Sequence, residues 1–220
     1  RLRMAQAASR EENPADVDPG LRGLYESAAV DTYYLVWYNF ESSNWQGWTR
    51  LDNTAQRDTF FHVDDFAGIT PGHHGHLVPL QGTKSMWCGA RPNSSDPYIC
   101  GWLAAPGYGN NWDQILQTDA FNFAGVITLS YHAYFDSENG YDYTYVQYDA
   151  GGGNWQTVAT YTDIVDTVAT HAIVSTQTRT KFRFHFVSDG GFSDQDGNWN
   201  SDGAAILDNN NVEKFIWVPR

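Results

Sequence analysis

The residues of this sequence that could do chemistry are mostly carboxylates, imidazoles and indoles. The motifs of a zinc peptidase (His-Glu-x-x-His) and of a serine hydrolase elbow (Gly-x-Ser-x-Gly) are both missing. His73, His74 and His76 are spaced closely enough for their imidazoles to chelate a transition metal. No acid lies within that cluster, so a solvated loop is the competing reading. A second cluster, Ser188 to Asn198, alternates Asp and Asn with Gly and Ser. Hard oxygens on a flexible turn suit Ca²⁺, which takes six to eight of them. Asp194 and Asp196 are the candidate ligands there. The glutamate and flanking helices of an EF-hand are missing, and a loop of Asx-turns is the alternative. A third set is topological. Glu41 ends the first strong strand and Asp208 lies near the end of a late one. If first and last strands lie side by side, Glu41 and Asp208 meet near one sheet edge, with Asp64 or Asp65 close. Calcium would relieve their repulsion, and ordinary exposed acids are the alternative. Paired carboxylates also serve glycosidases, but acids are abundant enough here for pairs to arise by chance.

Seven tryptophans (Trp45, Trp48, Trp87, Trp102, Trp112, Trp155 and Trp199) fall mostly at strand ends or in loops. Most should pack. Trp102, Tyr108 and Trp199 are the candidates for exposed aromatics that stack on a sugar ring or anchor a partner. Cys88 and Cys100 lie twelve positions apart around a polar, Pro-containing stretch. A disulfide there would add about 3 kcal/mol in the chain-entropy model, and both the bridged and the free state stay open. Asn93-Ser94-Ser95 fits the N-glycosylation triplet.

The elements that must position these groups are strands. Aromatics make up 15% of the 220 residues, and 20 glycines accompany only 18% charged residues, a composition that excludes a coiled coil or a disordered chain. Thr32–Phe40 reads as a strand buried on both faces. Val126–Phe135, Tyr141–Tyr148 and Thr180–Val187 follow, the last alternating Phe182, Phe184 and Phe186 with Arg183, His185 and Val187. Gly151 to Asn154 reads as a hairpin turn before Trp155–Tyr161. Shorter strands are expected at Thr59–Val63, Lys84–Trp87, Ala169–Val174, Ala204–Leu207 and Lys214–Val218. About ten strands without a long helix predict an all-β, two-sheet antiparallel jelly-roll sandwich over residues 31–220. Residues 1–30, broken by Asn13-Pro14 and Asp18-Pro19-Gly20, read as an N-terminal arm, linker or tail. The segments 67–81 and 89–109 are long and irregular, hence functional or disordered.

Thirteen Lys and Arg against 26 Asp and Glu give a net charge of −13. That argues against nucleic acid and anionic lipid as partners, and it permits divalent cations. No apolar run reaches the roughly 18 residues of a membrane span.

Several segments in shared order resemble a family. Trp87-Cys88-Gly89 and Gly107-Tyr108-Gly109-Asn110-Asn111-Trp112-Asp113-Gln114-Ile115-Leu116 are similar to a signature of MAM-like jelly-roll modules of secreted bacterial proteins, which accompany immune-inhibitor-A-type metallopeptidases. The likeness spans about residues 36–212 and includes Phe40-Glu41, Glu138 to Asp142, Phe186 to Asp189, and Ala205 to Asn209. It implies a non-catalytic, exported sandwich, often with structural calcium, held here by Glu41 and Asp208. The usual Gly-Trp before the final Ile-Asp is replaced by Ala204-Ala205. Peptidase activity does not carry over. Two functions follow as expectations: an extracellular, calcium-stabilised module that binds a glycan or a cell-surface protein, or a structural subunit of a filament or surface layer, binding copies of itself through residues 1–30.

Overall fold

The computed structural model describes residues 28–43, 45–54, 60–93, 95–122, 125–175 and 179–219. The expected arm lies outside these residues, except that positions 28–30 already belong to the first strand.

Thirteen strands are present among the described residues: β1 (Ala28–Tyr38), β2 (Trp48–Asp52), β3 (Phe61–Asp64), β4 (Ser85–Cys88), β5 (Asp113–Thr118), β6 (Phe121–Asn122), β7 (Gly125–Ser137), β8 (Tyr143–Asp149), β9 (Trp155–Tyr161), β10 (Asp163–Ser175), β11 (Arg179–Thr180), β12 (Phe182–Val187) and β13 (Ala205–Pro219). One sheet has the order β10-β7-β13-β4-β3, with β1 also beside β13; the other is β2-β5-β12-β8-β9, and β6 pairs with β11. Every strand pair is antiparallel. The architecture is the two-sheet sandwich that the alternation predicts, with first and last long strands adjacent. No helix among the described residues is long and apolar enough to cross a membrane.

β13 pairs with β4 through Ala205–Leu207 and with β1 from Asn210 onward. The change of partner coincides with a register shift against β7 between Asp208 and Asn211, where Asn209 takes a positive φ of 47°. Asn tolerates that region better than most residues, and a bulge redirects the strand.

Alternation builds the core. Phe182, Phe184 and Phe186 of β12 are fully buried and meet Ile127, Leu129, Tyr131 and Phe135 of β7, with Met86, Cys88 and Leu207 beside them. Phe60 stacks on Trp112 at 3.8 Å, and Phe135 on Tyr161 at 4.2 Å. Strands β2 and β5 had no sequence signature. The reason for β5 is visible in its burial: Gln114 and Thr118 point inward, which breaks the apolar alternation. Their polar atoms are used. Gln114 accepts the Phe60 N–H and donates to Asp52, and Thr118 accepts the Phe182 N–H.

A smaller apolar cluster lies on the other face of the six-stranded sheet: Phe66, Leu77, Trp87, Tyr134 and Ile206. The segment 67–81 helps close it. Asp202 accepts the N–H of Gly72 (2.7 Å) and of His76 (2.5 Å), while its backbone carbonyl accepts Trp87 Nε1–H. A Cβ at Gly72 would sit 2.2 Å from the Ser201 carbonyl, so only glycine lets the segment come this close. This irregular stretch therefore serves as a packed cover.

Candidate functional site

Glu41 and Asp208 reach two sides of one turn, residues 81–85. Glu41 accepts Thr83 Oγ1–H at 2.6 Å and Thr83 N–H at 2.9 Å. Asp208 accepts Ser85 Oγ–H at 2.8 Å, Gln81 N–H at 3.3 Å and Asn209 N–H at 2.7 Å. The hydroxyl and N–H of Thr83 hold the Glu41 carboxyl below its ordinary range. Burial pushes Asp208 up to about 6, with the Glu41 charge adding to the rise. The two carboxylates repel one another across this turn, their oxygens are engaged by N–H and O–H donors, and the Lys84 charge lies beside Glu41.

Three other expected ligands belong elsewhere. Asp64 does not join Glu41 and Asp208, because Arg91 grips both its oxygens (2.6 and 2.8 Å) and His62 Nε2 lies at 3.1 Å. Those donors hold its carboxyl well below the usual range despite burial. Asp194 is fully buried and accepts Ser201 N–H (2.6 Å), Ser201 Oγ–H (2.6 Å) and Tyr108 N–H (2.8 Å). Burial raises it to about 8. Asp196 accepts the N–H groups of Phe192, Ser193 and Asn198. Asp189 and Asp196 turn onto the backbone of the 188–198 loop, the Asx-turn alternative, whereas Asp194 ties the loop to Tyr108 and Ser201. The oxygen pairs of Asp64, Asp194 and Asp196 are engaged by N–H and O–H donors and are not gathered around a common point with Glu41 and Asp208.

The loop aromatics also differ from expectation. Tyr108 has no exposure, and its hydroxyl accepts Glu138 N–H. Trp102 and Trp199 are half-buried and pack against the main core; Trp199 donates Nε1–H to Asp136. Neither cysteine is bridged. Cys88 is buried in β4 with its thiol pKa raised by burial, whereas Cys100 is exposed in the middle of the Ile99–Gly101 turn. The Cys88 thiol lies inside the sandwich and the Cys100 residue is exposed to solvent. Of the histidines, His74 pairs with Asp136 at 2.7 Å and His76 stacks on Tyr134 at 4.0 Å. The acid missing from the His cluster in sequence is supplied by β7.

The outer face of the five-stranded sheet carries an organised set of half-buried functional groups. It is the face opposite Phe182, Phe184 and Phe186, so alternation places Arg183 and His185 there from β12, Tyr143, Tyr145 and Gln147 from β8, and Asp113 from β5. Arg183 lies 4.1 Å over the Trp155 ring and donates Nε–H to Gln147 at 2.6 Å. His185 Nε2 meets Asp113 at 2.7 Å, and burial lowers its pKa. Tyr143 stacks on Tyr145 at 5.9 Å, and Tyr145 lies 6.2 Å from the His185 ring. The result is a row of flat amphipathic rings with hydrogen-bonding heads fixed between them. Sequence alternation put Tyr143 and Tyr145 on one side of β8, and Arg183 and His185 on one side of β12. It could not show that these sides form one surface, because that depends on β8 and β12 being neighbours.

No family model matches the chain, and no curated protein matches it. Among solved structures it is similar to a cleaved adhesin domain of Lys-gingipain from Porphyromonas gingivalis (11% identity, 84% of this chain and 98% of that one, TM-score 0.48). It is also similar to TmCBM61 in complex with β-1,4-galactotriose (13% identity, 79% and 92%, TM-score 0.43). A third is the CBM22-1–GH10 portion of endo-1,4-β-D-xylanase 10B of Clostridium thermocellum, complexed with xylohexaose (15% identity, 83% of this chain and 28% of that one, TM-score 0.45). The likeness to MAM-like modules rests on the motifs in the sequence.

Proposed function

We propose that the chain is a non-catalytic, extracellular glycan-binding module. The observation that carries this reading is the outer-face row of Tyr143, Tyr145, His185, Arg183 and Trp155, with Asp113 and Gln147 fixing the polar heads. Sugar rings present apolar C–H faces to aromatic rings and hydroxyls to charged or amide groups, and this surface offers both in alternation. Calcium bound by Glu41 and Asp208 stabilises the sandwich by tying the turn after β1 and the first part of β13 to the 81–85 turn. The test is a glycan array on the purified chain, followed by titration of its tryptophan fluorescence. Binding by the native protein that is lost in Arg183→Ala and Tyr145→Ala, with melting unchanged, supports the reading. No sugar bound, or binding indifferent to both changes, refutes it.

A second reading, self-association into a filament or layer, is favoured by β10. It is a 13-residue edge strand, and Ile164, Val168 and Val174 are exposed along it. Long apolar edges template strand addition. Light scattering decides: large species abolished by Val168→Lys support assembly, and a monomer at all concentrations rejects it.

A further inference from the structure

Beyond Glu41 and Asp208, three carboxylates converge that the sequence did not bring together. Glu138 and Asp142 stand at either end of the turn joining β7 to β8, closed by Asp142 N–H donating to the Glu138 carbonyl at 3.1 Å. Asp189 follows β12. One oxygen from each of Glu138, Asp142 and Asp189 lies within 4.8 Å of the others. Oxygens that share a calcium ion at about 2.3–2.6 Å lie no more than about 5 Å apart, so this spacing fits one ion.

The second observation is an orphaned atom. Asp142 has no exposure. Its Oδ1 accepts Asp189 N–H at 2.8 Å, but Oδ2 is buried without a hydrogen-bond partner. The Tyr108 hydroxyl and the Glu138 N–H lie beside this carboxyl and favour its ionised form, while Oδ2 itself accepts no well-aligned hydrogen bond. A buried carboxylate oxygen with nothing to accept is costly unless something positive completes it. The other two carboxylates are accessible, Glu138 half-exposed and Asp189 exposed, so an ion has a path in from solvent. Glu138 and Asp142 are both raised, chiefly by burial, and the neighbouring negative charges add to the rise.

We propose that Glu138, Asp142 and Asp189 bind a calcium ion, which staples the β7–β8 turn to the loop after β12. The ligands are hard oxygens only, which favours calcium over zinc. The irregular loop setting favours calcium over magnesium, with water completing the shell. The site is separate from Glu41 and Asp208, and it stands or falls independently of sugar binding.

The test is calorimetric titration of Ca²⁺ into the full chain after chelator treatment, in the Glu41→Gln/Asp208→Asn background. One calcium is expected to bind there, and adding Glu138→Gln or Asp189→Asn is expected to weaken it roughly tenfold or more. Both positions are accessible, so these variants keep the test usable even if Asp142→Asn fails to fold. No binding in that background, or binding unchanged by both substitutions, overturns the proposal.

Discussion

Replacing Asp194 with Asn should reverse the stability order of two proteins across the pH range. In the native fold Asp194 receives three hydrogen bonds: Ser201 N–H on Oδ1, and Tyr108 N–H with Ser201 Oγ–H on Oδ2. An asparagine keeps its carbonyl at the Oδ2 position and turns its NH₂ toward Ser201 N–H. One buried donor is then unsatisfied, at a cost of about 1–3 kcal/mol. The charge works the other way. Burial raises the folded carboxyl from 3.8 to about 8. Between those values the folded state holds a proton that the unfolded state has released, so stability falls as pH rises. Each pH unit in that window removes about 1.4 kcal/mol, or about 4 kcal/mol between about pH 5 and about pH 8. Wild type is therefore the more stable protein near the lower pH, and Asp194→Asn overtakes it near the higher one. Urea unfolding of both proteins at the two pH values measures this. Asp142 and Asp208 are also raised by burial, but both proteins contain them and the difference cancels them; the Asp136 charge acts on Asp194 itself and is part of the rise that the substitution removes. A gap independent of pH, or one that widens in favour of wild type as pH rises, would refute the reasoning.

Four further outcomes follow. Gly107→Ala should destabilise by several kcal/mol, since the new Cβ would lie 1.8 Å from Asp194 Cγ and overpacking of this kind costs about 1–3 kcal/mol or more; the urea midpoint reads it. Tyr108→Phe should lose about 1–3 kcal/mol, because Glu138 N–H loses its acceptor, and the urea midpoint again shows it. Chelation by EDTA should lower the melting temperature if Glu41 and Asp208 hold calcium, with a loss of about 2.7 kcal/mol from a site previously at a hundred times its Kd; Glu41→Gln should show a smaller EDTA response. Trp155→Ala should cost about 0.5–2 kcal/mol of sugar affinity by removing the ring beneath Arg183, measured by fluorescence titration with the melting temperature as control.

Local chemistry wrote much of this protein into its sequence. The Phe182, Phe184, Phe186 alternation fixed which side of β12 faces the core, and the aromatic, glycine-rich composition fixed the all-β class. That Glu41 and Asp208 reach one turn was legible because antiparallel sandwiches commonly set first and last strands together. What alternation cannot encode is which strand lies beside which. Arg183 reaches Trp155 and Gln147 only because β12 pairs with β8 and β8 with β9. Gln114 and Thr118 hid β5 because inward polar residues, satisfied by distant partners, break the apolar pattern. Asp194 and Asp196 read as metal ligands because sequence shows oxygens but not the N–H groups that claim them. Glu138, Asp142 and Asp189 lie up to 51 positions apart and meet only after two loops fold against one another. Periodicity is a property of neighbours along the chain, whereas a site is made of neighbours in space, and pairing of distant strands converts one into the other.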